Sequence, residues 1–340
     1  MNDPEANLSI NQPPENRTNI SGAELTQDQS HPIITKVFIG PAGLRSGWRF
    51  VIYLIAFGAL LSAILFILRP VLPFSSQNQG SRLWPFLFGE CVSLVSAVVP
   101  ALVISRFENR PFGIYGLPPH LAFRKHFWSG MLWGIVAISA LLVVMRGVGV
   151  FSFEGFALHG IRILKFAAFW GVLFLVVGLF EEFVTRGYTQ FILTQGMGFW
   201  PAAFLLSIGF GAIHLGNPGE AWVGGLGAAC IGLFFCLTLR RTGTLWFAVG
   251  MHASWDWGET FFYSVPDSGL VAPGHLMKSS LHGSRWLTGG SVGPEGSVLV
   301  FVIIAALWIL FDRLYPEAKY GHQPQVVVLS EAALSPLPRD

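Results

Sequence analysis

The sequence predicts an all-α fold, a polytopic transmembrane bundle of about eight helices, and three observations carry that expectation. Of 340 residues, 52% are hydrophobic and only 12% are charged, where soluble domains carry about 25% charged residues. Mean hydropathy is +0.56. The apolar residues also fall into runs near the roughly 20 residues that a helix needs to cross a bilayer.

In chain order, residues 1–40 are polar, with Asn, Gln, Pro, Ser and Glu but few aromatics. Such a stretch cannot bury enough surface to fold alone and is expected to be a disordered tail. It has no apolar core of the kind a cleavable signal peptide carries, so targeting falls to the first span. The bundle occupies residues 45–315. Spans are expected at about 48–68, 84–105, 127–146, 164–195, 200–215, 221–239, 244–264 and 296–313. The fourth is long and the fifth short. Gly196-Met197-Gly198-Phe199 separates them, and Pro201 suits the first turn of the fifth. Residues 316–340 read as a C-terminal tail.

Between the last two spans, 264–297 is a Gly-, Ser- and Pro-rich loop with His275 and His282. A loop this long is either functional or a solvated connector, and on the expected topology it faces outward, able to cover a substrate entrance. No internal repeat and no soluble domain is evident.

The formal charge of +2 is too small to argue for nucleic acid, and the lipid bilayer is the expected partner. Twelve Lys and Arg residues flank the spans on the N-terminal side and seven on the other. That bias puts both termini in the cytoplasm, and a bacterial cytoplasmic membrane is the expected location. Cys91, Cys230 and Cys236 lie in apolar runs with no zinc or disulfide spacing, and are expected to be small buried hydrophobes.

Three polar islands interrupt the apolar spans. An ionisable group in hydrocarbon is costly and marks function by default. The first island is Glu181, Glu182 and Arg186 in GLFEEFVTRGY. Glu182 and Arg186 stand i,i+4 with the acid N-terminal, the favourable order for a helical ion pair. Glu181, about 100° around the helix, has no local partner. The second island is His214, closing FGAIH. The third is His252 and Asp256 in HASWD, also i,i+4, so that the carboxylate can hold one ring nitrogen and fix the tautomer. Glu259 lies three residues beyond.

A simple hairpin brings these islands together. Glu181 lies 14 residues before Gln195, and His214 lies 14 after Trp200. At 1.5 Å per residue both are ~21 Å from the turn. His252 lies nine residues from Gly243, at comparable depth in a tilted helix.

A carboxylate, two histidines and an aspartate suit activation of water. Glu181 would take its proton, His214 would hold the water, and His252 would donate to the oxyanion. The rival is a zinc ion on Glu181, His214, His252 and Asp256. Spacing leaves both open.

At these residues the chain resembles the CPBP family of intramembrane proteases, which includes the type II CAAX prenyl endopeptidases and bacteriocin-processing proteins. The family pattern of EExxxR, FxxxH and Hxxx(N/D) reads here as Glu181–Arg186, Phe210–His214 and His252–Asp256, over a core at about 165–260. The resemblance implies a membrane endopeptidase acting on a membrane-associated or lipidated peptide. Glu181 would be general base with His214 beside it, His252 and Asp256 would stabilise the oxyanion, and Glu182 and Arg186 would support them. A glutamate-dependent mechanism without cofactor is favoured, with zinc as the alternative. Where the third motif ends in Asn, an amide donates; Asp256 donates only when protonated, so it is expected to orient His252 or to ligate a metal. Two other classes are a non-catalytic scaffold or immunity-type binding protein that keeps the polar cluster, and a carrier using Glu181.

Overall fold

The structure is a computed structural model that describes residues 37–40, 43–69, 83–270 and 273–320. The expectations for residues 1–36 and 321–340, and Lys36 and Arg82 of the charge count, lie outside the described residues. The chain divides into two compact units, 1–43 and 44–340. In the first, Ile39–Gly40 is a two-residue strand. The rest of this description concerns the second unit.

All eight apolar segments are helical. They form α1 (Ser46–Leu68), α2 (Trp84–Phe107), α3 (Lys125–Gly147), α4 (Ile161–Arg186), α5 (Tyr188–Met197), α6 (Phe199–His214), α7 (Trp222–Thr242), α8 (Trp246–Asp256), a short α9 (Arg285–Thr288) and α10 (Val300–Leu314). Among the described residues, five segments are long and apolar enough to cross a membrane. The chain is an integral membrane protein with an all-α helical bundle. On α1 only Tyr53 is buried, and its hydroxyl donates to the Ala97 carbonyl at 3.0 Å, docking α1 on α2. Outward-facing Ile55, Phe66 and Ile67 are apolar and exposed, as a lipid-facing surface requires.

Three differences from the simple eight-rod picture matter for the site. First, the fourth apolar segment is not one rod. Ile161–Met197 covers 37 residues, about 55 Å of straight helix, against a hydrocarbon core of ~30 Å. It breaks at Gly187, whose φ −84 and ψ −109 leave the helical region. The hairpin estimate assumed that Glu181 and Gln195 share one axis, and the break removes that basis. Second, α8 does not run to residue 264 as an α-helix. After Asp256 it winds into a π-helical stretch, Trp257–Phe262, a form that recurs at functional sites. Third, the long loop is folded. Strand β1 (Phe151–Phe156) pairs antiparallel with β2 (Met277–Leu281), aligning Phe151 with Leu281 and Ser152 with Ser280, with an irregularity between Phe153 and Phe156.

Close approach in the centre comes from facing glycines on α3 and α8. A Cβ on Gly130 would stand 2.0 Å from the Phe247 carbonyl oxygen, and one on Gly250 would stand 2.2 Å from that of Phe127. Small residues are what let membrane helices pack backbone to backbone. Around this contact Ile138, Leu141, Met145, Phe247, Met251 and Phe311 form one buried cluster. Tyr53, Tyr115, Phe183, Tyr188 and Ile192 form a second. Of the cysteines, Cys236 is buried, Cys230 is partly buried and Cys91 is exposed. The expectation of burial fails for Cys91 because apolar sequence in a lipid-facing helix need not face the core.

Candidate active site

The last turns of α4 carry the first island. Glu182 and Arg186 are 0% and 1% exposed, and Arg186 Nη1 donates to Glu182 Oε1 at 2.8 Å. Arg186 Nε donates to the Gly232 carbonyl at 3.1 Å. The guanidinium lies over the Phe210 and Phe235 rings, 4.7 and 5.4 Å from their centroids. Gly232 is needed here, because a Cβ would meet Arg186 Nη2 at 2.6 Å. The charge is thus held by one carboxylate, one carbonyl and two aromatic faces, as a buried cation must be.

The same Glu182 oxygen reaches α8. His252 Nδ1 lies 2.9 Å from Glu182 Oε1, and since a carboxylate accepts, Nδ1 carries the proton. The imidazole also stacks on Phe235, with centroids 5.8 Å apart and planes 18° apart. Its other nitrogen, Nε2, faces Asp256 Oδ2 at 3.5 Å and Glu181 Oε2 at 3.7 Å. The sequence reading gave Asp256 the task of fixing the His252 ring. Glu182, seventy residues earlier, takes the Nδ1 hydrogen bond instead, because helical spacing shows only neighbours on the same helix.

Glu181 is 27% exposed at its side chain and faces a cavity of about 390 Å³. His214 lines the same cavity. Its Nδ1 donates to the Phe210 carbonyl at 2.8 Å, so the neutral ring presents Nε2 as an acceptor. Among the described residues, no hydrogen bond joins Glu181 to His214; they share the cavity rather than a direct contact. His252 and Asp256 also line it, so one space receives all three islands.

The cavity contains groups that the motif reading missed. Glu90 enters from α2, Glu220 and Asn217 from the turn between α6 and α7, and Asp267, Ser268 and Glu295 from the long loop. Glu90 had a legible signal, a lone acid within the apolar run PFLFGECVSLV. Asp267 and Glu295 did not, since acids in a Gly- and Ser-rich loop look like solvated ones. Asp267 accepts from Thr260 Oγ1 at 2.8 Å. Glu295 accepts from Trp255 Nε1 at 3.1 Å and from Ser268 Oγ at 2.9 Å. Burial, then the Glu295 charge, pushes the Asp267 carboxyl up to about 8.

For a metal, the arrangement differs from the expected zinc set. Among the described residues, the acidic, histidine and cysteine donors that converge within 4.8 Å of one another are Asp256, Asp267 and Glu295. Glu181, His214 and His252 are not in that group. His252 Nδ1 is engaged by Glu182.

Fold and cavity define a class: a polytopic membrane protein whose helical core gathers carboxylates and imidazoles around a partly apolar cavity. Residues 163–258 match the family model described as Rce1-like, type II CAAX prenyl endopeptidase Rce1-like. That segment contains all three motifs and supports a CAAX-type intramembrane protease as the general class. No curated protein matches the chain.

Proposed function

We propose that the chain is an intramembrane endopeptidase that hydrolyses peptide bonds of a membrane-associated or lipidated peptide by a glutamate-dependent mechanism. The observation that carries this reading is the shared cavity. A part-exposed Glu181, a His214 whose Nδ1 is held by the Phe210 carbonyl, and a His252 whose Nδ1 is held by Glu182 all open on it.

In the proposed reaction Glu181 takes a proton from water, and the resulting hydroxide forms the bond to the peptide carbonyl carbon. His214 Nε2 accepts a hydrogen bond from that water and keeps it aimed. The carbonyl oxygen becomes the oxyanion and is met by an N–H of His252. This step requires a proton on Nε2 as well as on Nδ1, and Asp256, 3.5 Å from Nε2, supplies the negative charge that holds it there once Glu181 has taken the water proton. The C–N bond then breaks, with the Glu181 proton passing to the leaving amine. Arg186 keeps Glu182 charged, and Glu182 in turn keeps the His252 ring fixed. Phe86, Trp170, Leu173, Phe174 and Val177 give the cavity an apolar wall, suited to a substrate that arrives through lipid. Both termini in the cytoplasm of a bacterial membrane is the topology that goes with this reading.

The test is N-terminal profiling of membrane peptides with the parent protein, Glu181→Gln and His214→Ala. Each variant is expected to lose at least ~10²-fold in cleavage, the contribution of a general base, while still inserting. New peptide termini that persist in both variants would end the proposal. A scaffold would retain partner binding in both and generate no termini in the parent.

A further inference from the structure

Beside the His252 imidazole, whose Nε2 stands 3.5 Å from Asp256, the cavity wall gathers three acids. Asp256 closes α8, Asp267 follows the π-helical stretch, and Glu295 precedes α10. Each offers a carboxylate oxygen within 4.8 Å of the others. Their hydrogen-bond donors are neutral: Thr260 on Asp267, and Trp255 and Ser268 on Glu295. Among the described residues, no Lys or Arg lines the cavity. Behind them stands Glu259, 0% exposed, with neither carboxylate oxygen hydrogen-bonded among the described residues, and the carboxyls of Glu295, Asp267 and Asp256 are the charges that act on it. Even with the His252 imidazole beside Asp256, three acids this close carry excess negative charge and repel one another strongly where water is scarce.

We propose that Asp256, Asp267 and Glu295 form a binding site for one calcium-sized divalent cation, with Glu259 supplying further negative charge behind it. An all-oxygen donor set selects hard cations over zinc or copper. The spacing favours the larger ones. Two oxygens on one ion stand at most twice the metal–oxygen distance apart, about 4.6–5.2 Å for Ca²⁺ and about 4.0–4.2 Å for Mg²⁺. Oxygens that all lie within 4.8 Å of one another satisfy the calcium limit without movement. The neutral donors from Thr260, Trp255 and Ser268 would orient the ligating carboxylates, as outer partners do in metal sites. One ion here would join the end of α8, the long loop and the start of α10. The site uses residues outside the Glu181–His214 pair, and its occupancy does not depend on proteolysis.

The test is calorimetric titration of the full chain in detergent, stripped of metal with EGTA, using CaCl₂, MgCl₂ and MnCl₂ in turn. One Ca²⁺ per chain is expected, with a rise in melting temperature. The paired change Asp267→Asn with Glu295→Gln should weaken Ca²⁺ binding by at least ~10²-fold, since affinity in oxygen sites follows ligand charge. If that pair disturbs folding, Thr260→Val keeps every charge and should weaken binding by ~10-fold through the lost outer hydrogen bond. No saturable Ca²⁺ binding up to about 10 mM, beyond the weak end of protein calcium sites, overturns the proposal. So does Ca²⁺ affinity equal to the parent's in both altered proteins.

Discussion

One carboxylate oxygen, Glu182 Oε1, receives both the Arg186 guanidinium at 2.8 Å and His252 Nδ1 at 2.9 Å. A residue that sequence reading treated as half of a local ion pair therefore links two helices and sets the imidazole's orientation. Glu182→Gln should be harsher than its conservative form suggests. It leaves Arg186 charged and buried without its carboxylate, a loss of about 3–5 kcal/mol for a broken buried pair. Thermal unfolding in detergent measures this. Adding Arg186→Met to Glu182→Gln should recover part of the loss, because the orphaned charge is gone.

Gly250 faces the Phe127 carbonyl so closely that Gly250→Ala must push α3 and α8 apart. Overpacking of this kind costs about 1–3 kcal/mol. His252 lies two residues on, so cleavage should fall together with melting temperature. An alanine variant as stable as the parent would show that the helices can separate freely.

Asp267 makes a pH prediction in metal-free buffer. Its carboxyl titrates near 8 in the folded chain, against an ordinary value of 3.8. Below about 4 both folded and unfolded chains hold the proton. Between 4 and 8 only the folded chain holds it, so this residue's contribution to stability is full at low pH and declines as pH rises to about 8. The slope approaches ~1.4 kcal/mol per pH unit for one proton. Melting temperature measured from pH 5 to 8 should fall less steeply in Asp267→Asn than in the parent.

Chelators should separate two kinds of metal dependence. If Glu181 generates the nucleophile unaided, 1,10-phenanthroline, which takes zinc far better than calcium, should leave cleavage unchanged. EGTA should lower the melting temperature by removing the oxygen-bound cation. Loss of cleavage with phenanthroline and recovery with zinc would refute the glutamate-dependent mechanism.

The parts of this structure that were legible in sequence are those governed by local rules. Apolar run length located the apolar helical segments, five of which among the described residues are long enough to cross a membrane. The i,i+4 spacing gave the Glu182–Arg186 pair, and the same logic flagged Glu181, His214 and His252 as residues out of place in hydrocarbon. What escaped depends on distant chain segments. The break at Gly187 is a single backbone conformation outside the helical region, inside a run whose apolar composition continues through it. The Glu182–His252 hydrogen bond joins residues seventy apart. Strand β2 sits in a loop whose composition left it open between a cover for a substrate entrance and a solvated connector, and announced no strand. Asp267 and Glu295 become cavity residues because that loop folds back over the bundle.

The Arg186 guanidinium touches more of the molecule than any motif spelling conveys. It rises from α4, rests between rings borne by α6 and α7, and grips α8 through Glu182 and His252. A single planar cation is thus the keystone of four rods, and the three short motifs behave mechanically as one part. Displacing any rod alone would strip that keystone of a support, so movements that admit a peptide must swing the quartet as a block or fall to the helices and loop around it.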